Sequence, residues 1–325
     1  MNRFRLGGVW SFILRRLLLG IVVLILVSIL VFLATQALPG DPAIAILGRS
    51  ATPASLAALR RQLHLDQPVI SQYWTWVTGL LHGNLGRSLA AQEPVTTLLA
   101  PRLVNSAVLV AIAAVVSIPL SIAIGSWAAF KREKAFDLVS SNLLLVLAAL
   151  PEFVVALVLV IFFATTVFPR ALPAISTVPP GSQAWNNWTA LVLPTLTLVI
   201  AVAPYVARIM RASMIEVLES DYVEMARLKG LPERTVLLRH ALPNALGPVF
   251  QVIALNLAYL AGGIIVVEYV FNYTGVGSAI RDAVVSHDLP VIQALAMLIA
   301  ALYVVLNLLA DVATILVTPK LRTRL

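Results

Sequence analysis

Apolar runs separated by short polar clusters dominate this chain, and six of them reach the roughly 20 residues that a helix needs to cross a bilayer core. They lie near 17–37, 104–130, 138–168, 190–210, 246–270 and 291–317. Backbone groups in lipid have no water to bond, so each run is expected to be a helix. The pattern predicts an all-α integral membrane protein with six transmembrane helices. Residues 1–37 hold the N-terminal segment and first span, 38–103 a long loop, 104–317 a five-span core with a polar hairpin over 214–243, and 318–325 a short tail.

The hairpin departs most sharply from the apolar pattern. Asp221 is placed to cap a helix with Glu224 as its reciprocal partner, Gly230 suits the left-handed residue that ends it, and Pro232 suits the start of the next. Ile215, Leu218, Tyr222 and Met225 recur at helical spacing, with Glu216, Glu219, Glu224 and Arg227 in other directions. A short amphipathic helix, a turn and a second helix to Leu242 follow from this.

The long loop carries its own helical signals. Thr52 can cap a helix opened by Pro53, and Asp66 a second one that aligns Ile70, Tyr73, Trp76, Val77 and Leu80. His82-Gly83-Asn84-Leu85-Gly86 supplies the stop. The element is either a lid on the membrane helices or a docking surface.

Composition and charge sharpen the topology. The chain is 60% hydrophobic and 12% charged, against about 45–50% and about 25% in soluble domains. It has no cysteine, which excludes disulfides, thiolate metal sites and cysteine nucleophiles. The formal charge of +8 comes largely from clusters on one side: Arg3, Arg5, Arg15 and Arg16; Lys131, Arg132 and Lys134; Arg208, Arg211, Arg227, Lys229, Arg234 and Arg239; and Lys320, Arg322 and Arg324. The two short loops on the other side hold only Arg170 and Arg281. Both termini and the hairpin are therefore expected in the cytoplasm and the 38–103 element outside. Nucleic acid is not needed to explain the charge. The apolar run after Arg15-Arg16 exceeds the about 7–15 residues of a signal peptide and lacks a clear cleavage site, so a retained span is expected.

Catalytic signatures are missing from the sequence. There is no G-x-x-x-x-G-K-[ST] phosphate loop, so ATP hydrolysis by this chain is not expected, and His64, His82, His240 and His287 are scattered without ligand spacing. Carboxylates inside apolar runs remain: Glu152 after Pro151 in the third, Glu268 and Asp311 near the ends of the fifth and sixth. Such groups either pair structurally or line a path. Glu152, Glu268, Gln251 and Asn256 are the candidate pathway residues, with helix pairing open for each.

The hairpin Glu224-Met-Ala226, Gly230, His240-x-Leu242-Pro243 resembles the EAA loop of prokaryotic ATP-binding-cassette importer permeases. Met225 and His240 depart from the usual alanine and isoleucine in the manner of the peptide and nickel branch. Arg15-Arg16-Leu-Leu-Leu, Pro39-Gly-Asp-Pro42, Leu65-Asp66-Gln-Pro68, Gln72-Tyr73-x-x-Trp76, Gly83-Asn-Leu-Gly86, Glu268-x-x-Phe271, Gly275-x-Gly277 and Asp288-x-Pro290-x-x-Gln293 extend the likeness to the first permease subunit of dipeptide and oligopeptide importers.

The resemblance implies the type I importer permease fold in a bacterial inner membrane and a non-enzymatic role. It also implies a second, homologous permease, one or two ATPase subunits that bind ATP and Mg²⁺, and an extracytoplasmic peptide-binding protein; no cofactor is implied on this chain. Tyr222, Glu224, Ala226, Arg227, Lys229, Gly230 and Arg234 become candidates for coupling to the ATPase, Glu224, Ala226 and Gly230 by shaping the helix and its turn. A nickel or metal-chelate permease of the same family, or a proton-coupled carrier using Glu152, are the alternatives.

Overall fold

The computed structural model describes residues 6–37, 44, 52–62, 66–165, 172–179 and 182–317. Arg3, Arg5, His64, Arg170, the Pro39-Gly-Asp-Pro42 exit and the tail 318–325 lie outside them. The described elements are helical apart from one isolated bridge between Arg87 and Pro94. In chain order they are α1 (Leu6–Gln36), α2 (Pro53–Gln62), α3 (Val69–Leu81), α4 (Val95–Phe130), α5 (Ala135–Ala149), α6 (Glu152–Ala164), α7 (Trp188–Leu218), α8 (Asp221–Leu228), α9 (Leu242–Val270), α10 (Val276–Val285) and α11 (Leu289–Val317). Among the described residues, α1, α4, α11 and α7 with the 3₁₀ turn ahead of it are long and apolar enough to cross a membrane. A fifth span arises if α5 and α6 are taken as one.

The α5–α6 pair corrects the sequence expectation of a single straight third helix. The chain bends there by 107°. Pro151 brings no N–H to the helical ladder, and its ring drives Leu150 into extended backbone with φ −82° and ψ 129°. Glu152 is thus the first residue of α6 and not a residue deep within a continuous span.

The chain divides into two compact units. One comprises 1–17, 107–273 and 303–325, the other 18–106 and 274–302. In the first, α7 is the central helix: 72% of its apolar window is buried, and it stays helical through Pro194 and Pro204. Its large buried side chains, among them Leu193, Leu198, Val206 and Met210, meet Leu109 of α4 and Leu260 of α9 in one core. Arg16 pairs with Asp311 at 3.0 Å, so the carboxylate near the end of the last run has a basic neighbour.

The second unit holds α2, α3 and α10. Thr52 and Ser55 cap α2 reciprocally, each hydroxyl accepting the other's backbone N–H at 3.2 and 2.9 Å. The expected Asp66 cap of α3 does not form: Pro68 is the N-cap, pre-set at φ −55°, and makes no side-chain cap bond. Tyr73 meets Phe32 of α1 edge-on at 5.4 Å and Trp76 stacks on it at 5.7 Å, and the Ser28 and Tyr73 hydroxyls are 2.9 Å apart. Gly83 and Gly86 take the positive φ values, 77° and 85°, that turn the chain after α3.

Asp288 clamps that turn across 200 residues of sequence. Buried with 3% exposure, its carboxylate accepts the Ser88 hydroxyl and the backbone N–H groups of Leu89 at 3.0 Å and Ala90 at 3.2 Å. Asp288→Ala removes the acceptor and leaves these donors without it, an expected loss of about 1–3 kcal/mol. The readout is a lower thermal midpoint with faster tryptic cleavage after exposed Arg87; unchanged cleavage there would refute the clamp.

Candidate functional site

The polar hairpin begins where α7 stops. Glu219 ends the helix at ψ 0°, and Ser220, at φ −79° and ψ 146°, is the N-cap of α8. Asp221 therefore sits at the first helical position, and the expected Asp221–Glu224 capping box does not form. The Ser220 hydroxyl turns back to the Val217 carbonyl at 2.5 Å. Asp221 and Glu224 instead place negative charge in the first turn, where the helix dipole favours it.

This break also resets the helical phase. A single helix through 215–225 would carry Tyr222 and Met225 inward with Leu218. In the structure Val223 and Ala226 are buried against Val236, while Tyr222, Met225 and Leu228 are 45%, 53% and 75% exposed. Three apolar side chains are thus held outward by two that anchor the helix.

The turn is a Schellman motif. Gly230 takes φ +76°, its N–H bonds the Arg227 carbonyl at 2.9 Å, and the Leu231 N–H reaches the Ala226 carbonyl at 3.4 Å. Nothing lies within 4 Å of where a Cβ would stand, so glycine is required by conformation and not by space. Pro232 is the N-cap of the following turn, one position before the expected one. Arg227 forks onto Glu233 across the turn, Nη2 to Oε1 at 2.8 Å and Nε to Oε2 at 3.3 Å, which raises its guanidinium pKa further. Lys229 and Arg234 are exposed. A π-turn over Val236–Ala241 then leads into α9 just ahead of Pro243, which lacks the N–H for a regular ladder.

A second feature lies deeper in the same unit. A cleft of about 610 Å³ opens between α5, α7 and α9, with Ser141, Tyr205, Arg208 and Asn256 among its polar lining. At its edge Arg211 forks onto the buried Asp137, Nε to Oδ1 at 2.5 Å and Nη2 to Oδ2 at 2.7 Å. Beside the α5–α6 bend, the Tyr205 hydroxyl donates to the Ala148 carbonyl at 3.1 Å and the Tyr259 hydroxyl donates to Glu152. A carbonyl left without its helical donor and a carboxylate at a helix start are both satisfied by tyrosines from α7 and α9.

Not all of the sequence candidates meet here. Asn256 lines the cleft and Glu152 reaches its neighbourhood through Tyr259, whereas Gln251 is exposed outside it. Glu268 is wholly buried near the end of α9, where its carbonyl accepts the Tyr273 N–H at 2.8 Å.

Comparison with known proteins identifies the family. Residues 121–323 match the binding-protein-dependent transport system inner membrane component, and 9–110 match the N-terminal region of such components. A Sinorhizobium fredii protein named as a probable peptide ABC transporter permease is 36% identical over 311 residues, 96% of this chain and 99% of its own. The chain belongs to the binding-protein-dependent inner-membrane transport family. The glutathione transport system permease GsiC of Salmonella choleraesuis is also 36% identical, over 96% of this chain and 99% of its own. The crystal structure of an amino acid ABC transporter with histidines shares the fold, with a TM-score of 0.51 and 17% identity over 67% of this chain and 94% of that one.

As a permease, the chain is a multi-pass inner-membrane subunit without catalysis of its own. The ATPase and the binding protein are separate. Sequence reading singled out the hairpin but missed the cleft, because Arg208 counted only among the basic residues of the cytoplasmic side and Tyr205 was not singled out. Their i, i+3 spacing was the available signal.

Proposed function

We propose that this permease forms, with a second homologous permease, the membrane pathway of an ATP-driven peptide importer fed by an extracytoplasmic binding protein. The chain crosses the membrane six times, counting α5–α6 as one broken span and the 29-residue α9 as another. Both termini and α8 lie in the cytoplasm and the α2–α3 segment lies outside. One or two ATPase subunits bind the ATP and Mg²⁺, and this chain carries no cofactor. Relatives named for peptide and glutathione transport, matched over nearly their full length, support the substrate class.

The outward apolar face of α8 carries this reading. Exposed apolar residues beside charged ones on a capped, braced helix suit insertion into a groove of a soluble partner. Tyr222, Met225 and Leu228 then contact the ATPase, with Lys229 and Arg234 at the rim. Val223, Ala226, Gly230 and the Arg227–Glu233 pair hold the shape. Met225→Asp with Leu228→Asp is expected to leave membrane insertion intact and weaken ATPase retention on co-purification by roughly thirtyfold, the effect of losing a central contact. Retention at the wild-type level, with both substitutions present, would remove α8 from the interface.

A further inference from the structure

We propose that the cleft between α5, α7 and α9 is a peptide subsite in which Arg208 receives the terminal carboxylate of the transported peptide. This rests on the reading of the chain as a peptide permease.

The first observation is the guanidinium itself. In the same unit Arg16 pairs with Asp311, Arg132 with Glu219 and Arg211 with Asp137, but Arg208 has no carboxylate partner among the described residues. It lies ten residues before the end of α7, about 15 Å along the helix axis. Its side chain is exposed on the cleft wall, open to an anionic occupant, and ionisable groups on membrane helices that face a cavity mark transport paths.

The rest of the cleft fits a peptide. Asn256 donates its amide to the Val252 carbonyl at 2.8 Å, which turns its Oδ1 into an available acceptor for a backbone N–H. Leu145, Ile209 and Leu255 supply apolar walls without a shaped side-chain pocket, and about 610 Å³ falls within the usual range for small-molecule sites. Recognition would rest on groups common to all peptides and be indifferent to sequence.

Charge distribution favours a peptide over a lipid phosphate, which shares the anionic chemistry. Tyr259, which holds the Glu152 carboxylate, is three residues from Asn256 on α9, and Tyr205 is three residues from Arg208 on α7. The Glu152 carboxylate therefore stands on the side of the cleft where Tyr205 meets the α5–α6 bend. It repels an anionic headgroup but suits a zwitterion with its ammonium directed toward Glu152.

The test uses the complete complex, with both permeases, ATPases and binding protein, in proteoliposomes. Uptake of a free-acid peptide is compared with that of its C-terminal amide, for wild type and for Arg208→Gln. The binding protein is common to both, so its preference cancels when the two acid-to-amide ratios are compared. The ratio is expected to fall roughly ten- to hundredfold in the variant, the worth of a lost charge-assisted contact. Equal losses for both peptides, or an unchanged ratio, would overturn the subsite. An unchanged ratio with an anionic phospholipid retained by wild type and lost from the variant in native mass spectra would give Arg208 to lipid instead. Should Arg208→Gln fail to assemble, Arg208→Lys decides: it keeps the charge but loses the fork, so a severalfold drop supports the subsite and no drop refutes it. Wild type that moves neither peptide would overturn the peptide reading as well.

Discussion

Arg211→Ala is expected to cost about 3–5 kcal/mol of stability, the penalty for leaving a buried charge without its partner. The carboxylate at risk is that of Asp137, only 2% exposed, whose oxygens accept Arg211 Nε at 2.5 Å and Nη2 at 2.7 Å. The Glu133 N–H at 2.9 Å and the Ser141 hydroxyl at 3.2 Å complete its shell, but neither carries charge. The two sides of the pair differ. The Arg211 side chain is 30% exposed, so Asp137→Ala leaves a cation that can reach water and should cost less. Arg211→Lys keeps the charge but loses one arm of the fork, and belongs between them. Unfolding midpoints in detergent should rank Arg211→Ala below Asp137→Ala, with Arg211→Lys above the alanine variant at the same position. Equal midpoints for the two alanine variants would mean that Asp137 is not held as a buried anion. The double change Asp137→Leu with Arg211→Met should recover most of the loss, since paired apolar replacement of a buried bridge is often neutral.

Features encoded within a few residues were legible in the sequence. Gly230 with Pro232 marked the turn, Thr52 with Pro53 marked α2, and the apolar runs located the long helices. Errors arose where local signals competed. Asp221 suits an N-cap, but Ser220 holds that position, and the break at Glu219–Ser220 interrupts the spacing of Ile215, Leu218, Tyr222 and Met225, so that Val223 and Ala226 take the buried face. Pro151 was visible, but hydropathy continues across it, and only the backbone of Leu150 turns a possible kink into a bend of 107°. Long-range partners were beyond reach. Nothing near Asp288 names Ser88, and nothing near Asp137 selects Arg211 over Arg208. That last distinction separates a structural bridge from the proposed subsite, and it is made by packing of α5 on α7.

Gly125→Ala should cost about 1–3 kcal/mol, more than a methyl added at Gly79. Leu109, Ala113, Ser117, Ser121 and Gly125 recur every four residues on α4 and are all buried, so small residues form the inner half of the stripe and permit close backbone approach. A Cβ at Gly125 would stand 2.7 Å from the Met210 Cβ and 3.0 Å from the Arg211 nitrogen, with the Ala207 carbonyl oxygen nearer still. Two of these three are backbone atoms, so no rotamer change relieves them and the helices must separate. Overpacking in well-filled cores costs about 1–3 kcal/mol, and here the upper end is expected because separation also strips contacts from α7, the central helix. Gly79→Ala is the control. Its nearest neighbour would be the Asn84 carbonyl at an ordinary 3.5 Å, and alanine in a helix gains up to about 1 kcal/mol over glycine. Because Arg211 is itself one of the atoms displaced, the damage at Gly125 should reach the Asp137 bridge. Gly125→Ala combined with Arg211→Ala is then expected to lose less than the sum of the two alone. Losses that add to within about 0.5 kcal/mol would show the sites to be independent and the close approach of α4 to α7 to be unimportant for the bridge.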